Sequence, residues 1–145
     1  MRALLQRVSS ASVDVAGARI AAIGPGLLVL LGLDKGDDRE AAERMLDKLL
    51  AYRVFPDEAG RMNRSVTDTG GGVLLVSQFT LSADTRKGLR PSFSSALPPD
   101  EARELYAYTL KRLRERHAEV GAGEFGADMQ VSLVNDGPVT FLLES

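Results

Sequence analysis

Two short segments carry side chains that could do chemistry. In the first, Ser77-Gln78-Phe79-Thr80-Leu81, three polar side chains stand at the end of an apolar run that begins at Val73. Hydroxyls, an amide and unpaired backbone N–H groups at such a strand end could bind a carbonyl or an oxyanion, as in acyl-transfer sites. Taken alone, the segment reads better as a strand end whose hydroxyls satisfy neighbouring backbone groups. The second segment is Asn135-Asp136-Gly137-Pro138-Val139-Thr140, where Gly137 can adopt backbone angles closed to other residues and Pro138 permits a cis peptide. Its reading in isolation is a tight hairpin turn.

The rest of the composition removes the usual catalytic partners. There is no cysteine, which excludes a thiolate nucleophile, thiolate metal sites and disulfides. The single histidine, His117, closes the run Lys111-Arg112-Leu113-Arg114-Glu115-Arg116, which has the pattern of a helix's polar face and places His117 at a solvated surface. A Ser-His-Asp triad therefore lacks a well-placed base, and a multi-histidine metal centre is impossible. Neither a metal nor a cofactor is expected. Thr80 as a nucleophile has no obvious base either.

Charge and hydropathy limit the partners. The 145 residues carry a net charge of −2, with 44% hydrophobic and 26% charged residues, so no global basic surplus marks a nucleic-acid binder. Two local basic clusters, Arg86-Lys87-Gly88-Leu89-Arg90 and Lys111 to Arg116, are read on charge alone as solubilising. The opening Met1 to Arg7 is polar too early for a signal peptide, and the longest apolar run, Leu27 to Leu33, is too short to span a bilayer. A cytoplasmic protein without membrane contact is expected.

Positioning the two segments falls to strands and two helices. Residues 3–8 and 12–15 read as strands parted by Ser9-Ser10-Ala11, and Arg19 to Ile23 as another. The run Leu27 to Leu31 has the length and composition of a strand buried on both faces. Asp37 and Glu40 suggest a capping box opening a helix with Ala42, Met45, Leu46, Leu49 and Leu50 on one stripe. Tyr52 to Phe55 reads as a strand and Pro56 to Gly60 as a turn. Three glycines, 70–72, precede a second apolar strand over 73–81, and Pro98-Pro99-Asp100 starts a helix with Ala102, Leu105, Tyr106, Thr109, Leu110 and Leu113 on one face. Met129 to Val134 alternates as a strand before the turn signal Asn135-Asp136-Gly137 and a last strand, Val139 to Leu143. The expected architecture is one domain, residues 1–145, of mixed α/β (α+β-like) class. It has a layered, partly barrel-like, mainly antiparallel or mixed sheet and two helices.

Together the two segments resemble the signature motifs of the D-aminoacyl-tRNA deacylases. The resemblance also takes in Gln6-Arg7-Val8, Gly26-Leu27-Leu28-Val29, Tyr52-Arg53-Val54-Phe55, Arg90-Pro91-Ser92-Phe93 and Phe125-Gly126-Ala127-Asp128-Met129, and so runs essentially end to end. It implies the fold of that family and a hydrolase that removes D-amino acids, and glycine, from tRNA. It further implies a homodimer with its active site at the interface, where Gly137-Pro138, in cis, enters the partner's pocket as a chiral filter. Ser77, Gln78, Phe79 and Thr80 would form the catalytic wall around the ester and the 3′-terminal adenosine. Phe125 and Met129 would hold the adenine, and Arg7 would anchor the turn bearing Gly137-Pro138. No side-chain nucleophile is implied; the 2′-hydroxyl of the terminal ribose assists. Gripping a terminal adenosine needs few phosphate contacts, which reconciles tRNA with a mildly acidic chain, and Arg86, Lys87 and Arg90 become candidates for the acceptor stem. DNA is not an expected partner. The competing readings are a non-catalytic RNA-binding dimeric module and an esterase using Thr80 or Ser77.

Overall fold

Strand β1, Arg2–Val15, runs through the middle of the molecule, and its sequence shows why it must bend. Ala3 and Leu5 are buried in a large apolar cluster, while Val8, Ala11 and Val13 belong to a second, separate one. Side chains alternate along a strand, so odd positions at both ends should share a face. They do not, and the switch falls where the pairing of β1 shifts register, between Gln6 and Ser10. The two strands expected on either side of Ser9-Ser10-Ala11 are thus one strand with an irregularity, because a bulge reverses the facing of side chains without ending the ladder.

The computed structural model describes residues 1–145. β2 (Ala18–Ile23) and β3 (Gly26–Gly32) both pair antiparallel with β1, β2 along its C-terminal half and β3 along its N-terminal half. Helix α1 (Arg39–Ala51), a short hairpin of β4 (Phe55–Pro56) and β5 (Met62–Arg64), and a one-turn helix α2 (Val66–Thr69) lead to β6 (Gly72–Ser77), parallel to β3. A 3-10 turn over Phe79–Ser82, a loop and helix α3 (Pro99–Arg116) lead to β7 (Val120–Ala122), parallel to β6. β8 (Met129–Glu144) returns along the whole of β1. Gly121 of β7 faces Ala21 and Ile23 of β2, so the mixed sheet nearly closes on itself.

Burial follows this wrap. Leu27, Val29 and Leu31 of β3 and Val73 and Leu75 of β6 face α1 and α3, meeting Met45, Leu46, Leu49, Leu105 and Leu113. The alternate residues Leu28, Leu74 and Val76 fill the inside of the curled sheet with Val13 and Ile23. Both faces of β3 and β6 are therefore apolar, one packed under α1 and α3 and the other inside the curled sheet, which is why neither strand alternates.

Several local expectations are corrected. The structure has two further helical turns, α2 and the 3-10 turn, which four-residue stretches cannot announce by periodicity. Asp38, not Asp37, caps α1 by accepting from the Ala41 N–H at 2.9 Å; Asp37 instead accepts from the Asp34 N–H and the Met1 ammonium. The strand expected over 52–55 shrinks to Phe55–Pro56, and the one expected over 73–81 ends at Ser77. β7 lies in the glycine-interrupted segment, where the sequence pattern shows no strand. His117 is not a solvated residue of the helix face. It is half-buried at the end of α3, where its Nε2 lies 2.7 Å from the Gly71 carbonyl oxygen.

Candidate active site

β3 and β6 run parallel, so both release their chains at the same edge, the place where ligands of such sheets bind. A cavity of about 750 Å³ opens there. Leu31 and Leu33 come from the end of β3, Val76 and Ser77 from β6, and Pro98, Pro99 and Ala102 from the start of α3. Gln78, Phe79, Phe125 and Met129 also line it. Five residues picked out in the sequence, Ser77, Gln78, Phe79, Phe125 and Met129, thus share one wall system.

The backbone at the first segment is arranged by two hydrogen bonds. Gln78 N–H donates to the Leu31 carbonyl at 2.8 Å, extending the β3–β6 ladder by one step, and is unavailable to a ligand. The first bond of the following 3-10 turn is donated by Leu81 N–H to the Gln78 carbonyl at 3.1 Å, so the Phe79 and Thr80 N–H groups precede it. N–H groups ahead of the first bond of a helical turn have no partner within it, which suits them to a carbonyl oxygen. Thr80 is exposed just beyond the cavity wall, and its hydroxyl accepts from the Gln78 amide.

No base reaches these hydroxyls from the histidine. His117 is bound at Gly71, and Ser77 lies six residues further along an extended strand, roughly 20 Å away. Burial pushes the Tyr106 hydroxyl up to about 12 and holds it neutral, and its proton is donated to the Leu75 carbonyl at 3.0 Å. No cluster of three or more His, Asp or Glu residues is arranged to hold a metal ion.

The aromatic walls are braced from outside. Phe125 packs against Tyr106 with ring centroids 5.8 Å apart, and the Arg103 guanidinium sits 4.8 Å from the Phe125 centroid. Phe79, 65% exposed, leans on Phe93 at 5.0 Å. Met129 depends on a glycine: a Cβ on Gly123 would lie 2.7 Å from the Met129 sulfur. Phe93, Leu97, Pro98 and Lys35 join the wall without having been singled out as site residues in the sequence. Phe93 stands in one of the resembling segments, but nothing local marks the other three.

The second segment is built differently from the expected hairpin. β8 pairs with β1 on both sides of it, Asn135 opposite Val8 and Thr140 opposite Gln6, and the four residues between bulge out. Two side chains hold this bulge. Asn135 accepts from the Val139 N–H at 2.7 Å and donates to the Thr140 hydroxyl at 3.0 Å. Arg7, its side chain only 13% exposed, donates to the Asp136 carbonyl at 2.9 Å and the Val54 carbonyl at 2.7 Å. Gly137 has φ 145°, and the Gly137-Pro138 peptide is cis. Both residues are exposed, and neither they nor Arg7 line the cavity of their own chain.

The fold and the cavity define a compact mixed α/β protein whose pocket lies at the ends of two parallel strands. The family model described as D-Tyr-tRNA(Tyr) deacylase matches residues 4–144. The chain is 63% identical to the D-aminoacyl-tRNA deacylase of Stutzerimonas stutzeri (strain A1501) over 145 residues, the whole length of both. Among solved structures it is similar to a c-Myc DNA Unwinding Element Binding Protein, with 45% identity, a TM-score of 0.96, and coverage of 100% of this chain and 99% of that one. A probable eukaryotic D-amino acid tRNA deacylase shares the fold at 18% identity and a TM-score of 0.85, over 98% of this chain and 97% of that one. The chain belongs to the D-Tyr-tRNA(Tyr) deacylase family, and is a hydrolase of that family.

Proposed function

We propose that this protein cleaves the ester of D-aminoacyl-tRNA, releasing the D-amino acid and intact tRNA, and clears glycine mischarged on tRNA(Ala) in the same way. The observation that carries this reading is the separation of its two motifs. The cavity holds Ser77, Gln78, Phe79, Phe125 and Met129, whereas Gly137-Pro138 projects from a braced bulge outside it. A second copy of the chain supplies the missing wall: the Gly137-Pro138 of one protomer enters the cavity of its partner. Exposed Leu133, Val134 and Leu142 of β8 give that dimer apolar contact area near the bulge.

Within this composite site the terminal adenine packs against Phe125 and Met129, since aromatic rings and thioethers suit a flat base. The free N–H groups of Phe79 and Thr80 face the ester carbonyl. Water adds to that carbonyl, the bond to the ribose oxygen breaks, and the neighbouring 2′-hydroxyl assists the proton transfer. The filter acts by exclusion. An L side chain meets the rigid backbone of Gly137-Pro138, a D side chain points away, and glycine has nothing to clash, so glycyl-tRNA must be accepted. Residues 1–145 act as one domain, because β1 and β8, at opposite ends of the sequence, pair along their lengths. The setting is cytoplasmic; no helix is long and apolar enough to cross a membrane.

The test is amino-acid release from matched D-tyrosyl-, L-tyrosyl- and glycyl-tRNA. Loss of the D and glycyl esters with the L ester intact is expected. Equal survival of all three would leave a binding module as the better account. An esterase using a side-chain nucleophile is tested separately: Thr80→Ala and Ser77→Ala should each keep activity within about tenfold of wild type, because backbone N–H groups carry the stabilisation. Losses of about a million-fold, as when a nucleophile is removed, would instead assign that hydroxyl to the reaction.

A further inference from the structure

Among the residues that line the cavity, Lys35 is the single ionisable one. It is exposed, and its side chain makes no hydrogen bond or ion pair, although carboxylates lie close to it in the sequence. Those carboxylates are engaged elsewhere. Asp34 pairs with the Met1 ammonium at 3.3 Å and with Arg2 at 3.7 Å, Asp37 with the same ammonium at 2.7 Å, and Asp38 caps α1. Of the two carboxylate oxygens left over, Oδ1 of Asp34 is buried away from solvent, and Oδ2 of Asp38 belongs to the exposed cap of α1. The backbone of Lys35 is fixed: its N–H donates to the Ser95 carbonyl at 2.9 Å, and the adjoining Asp34 bridges to Ala96. An unpartnered cation on a fixed backbone in an otherwise uncharged, largely apolar wall selects a ligand that has both a flat apolar part and an anionic part.

We propose that Lys35 binds the 5′-phosphate of the nucleotide whose base occupies the cavity, so the site recognises a nucleoside monophosphate rather than a nucleoside. This rests on the adenosine reading above and adds a contact to it. The ammonium is the chain's own answer to the phosphodiester that joins the terminal nucleotide to the rest of the RNA. Its strength is that of a solvent-facing ion pair, which sets the size of the effect.

The experiment is a nuclear magnetic resonance titration of the full chain with adenosine and with adenosine 5′-monophosphate. Wild type should bind the monophosphate about fivefold more tightly than adenosine, and raising salt should erase the difference. Lys35→Ala should lose the preference and bind the two equally, while Lys35→Arg keeps it. An unchanged preference in Lys35→Ala overturns the assignment. Adenosine binding by wild type with no preference for the monophosphate overturns the role of Lys35 alone. Binding of neither overturns the adenosine reading and the assignment together.

Discussion

Gly137→Ala is expected to lower deacylation of D-aminoacyl-tRNA by about 100-fold, the loss that follows from a displacement of about 1 Å at a site of chemistry. Gly137 sits at φ 145°, where an L side chain is strained whatever the space around it. The space is also taken. A Cβ would lie 2.6 Å from Val139 Cγ2 and 2.9 Å from the Val139 backbone nitrogen, the same N–H that Asn135 holds. On its other side the Arg7 guanidinium stands 3.3 Å away, fixed by its two carbonyl partners. The bulge must therefore move, and with it the carbonyls that, in the dimer proposed above, face the partner's substrate. The strain of about 1–3 kcal/mol is confined to an exposed bulge, so the protein should stay folded with a modestly lower melting temperature. Activity within a factor of two of wild type in a folded Gly137→Ala protein would remove Gly137-Pro138 from the proposed site.

The second large effect concerns the scaffold. Gly26→Ala should destabilise the protein by about 3 kcal/mol or more, read as a lower denaturant midpoint with an unchanged slope. A Cβ at Gly26 would lie 1.9 Å from the Gly72 carbonyl oxygen and 2.7 Å from the Gly72 backbone carbon and nitrogen. These are backbone atoms of the parallel β3–β6 pair, which cannot swing aside as a side chain can. Relief requires the two strands to part where the ladder begins. The same pairing ends at Leu31 and Ser77, beside the cavity, so activity should fall with stability. Gly24→Ala is the control, since nothing lies within 4 Å of its Cβ and its φ is not positive; a change within about 0.5 kcal/mol is expected there. Equal stability of the Gly26 and Gly24 variants would refute the close-approach argument.

Long, uninterrupted patterns make an element legible from side chains alone. The stripe Ala42, Met45, Leu46, Leu49 and Leu50 is the buried face of α1, and that of α3 follows the spacing from Ala102 to Leu113. The apolar runs of β3 and β6 are buried on both faces, as their lack of alternation requires. Short or irregular elements are not legible in this way. The 3-10 turn at Phe79 and the one-turn α2 are too brief to show a period, and the bulge at Asn135 carries the same asparagine, aspartate and glycine as a hairpin turn. His117 escapes its polar-face pattern because its partner is a backbone carbonyl, which no side-chain pattern predicts.

By itself, the sequence determined what chemistry was closed: without cysteine there is no thiolate, and one histidine rules out a multi-histidine metal centre. It also determined the family, because two motifs in order with matching segments between them are specific where neither is alone. Only the tertiary structure decided which of those residues meet. Ser77, Gln78, Phe79, Phe125 and Met129 converge because parallel β3 and β6 end at one edge, while Arg7 and Gly137-Pro138 are carried elsewhere by the antiparallel β1–β8 pair. Lys35 enters the site for the same reason. Convergence of this kind depends on strand direction and on hydrogen bonds between residues distant in sequence, and a local pattern of side chains contains neither.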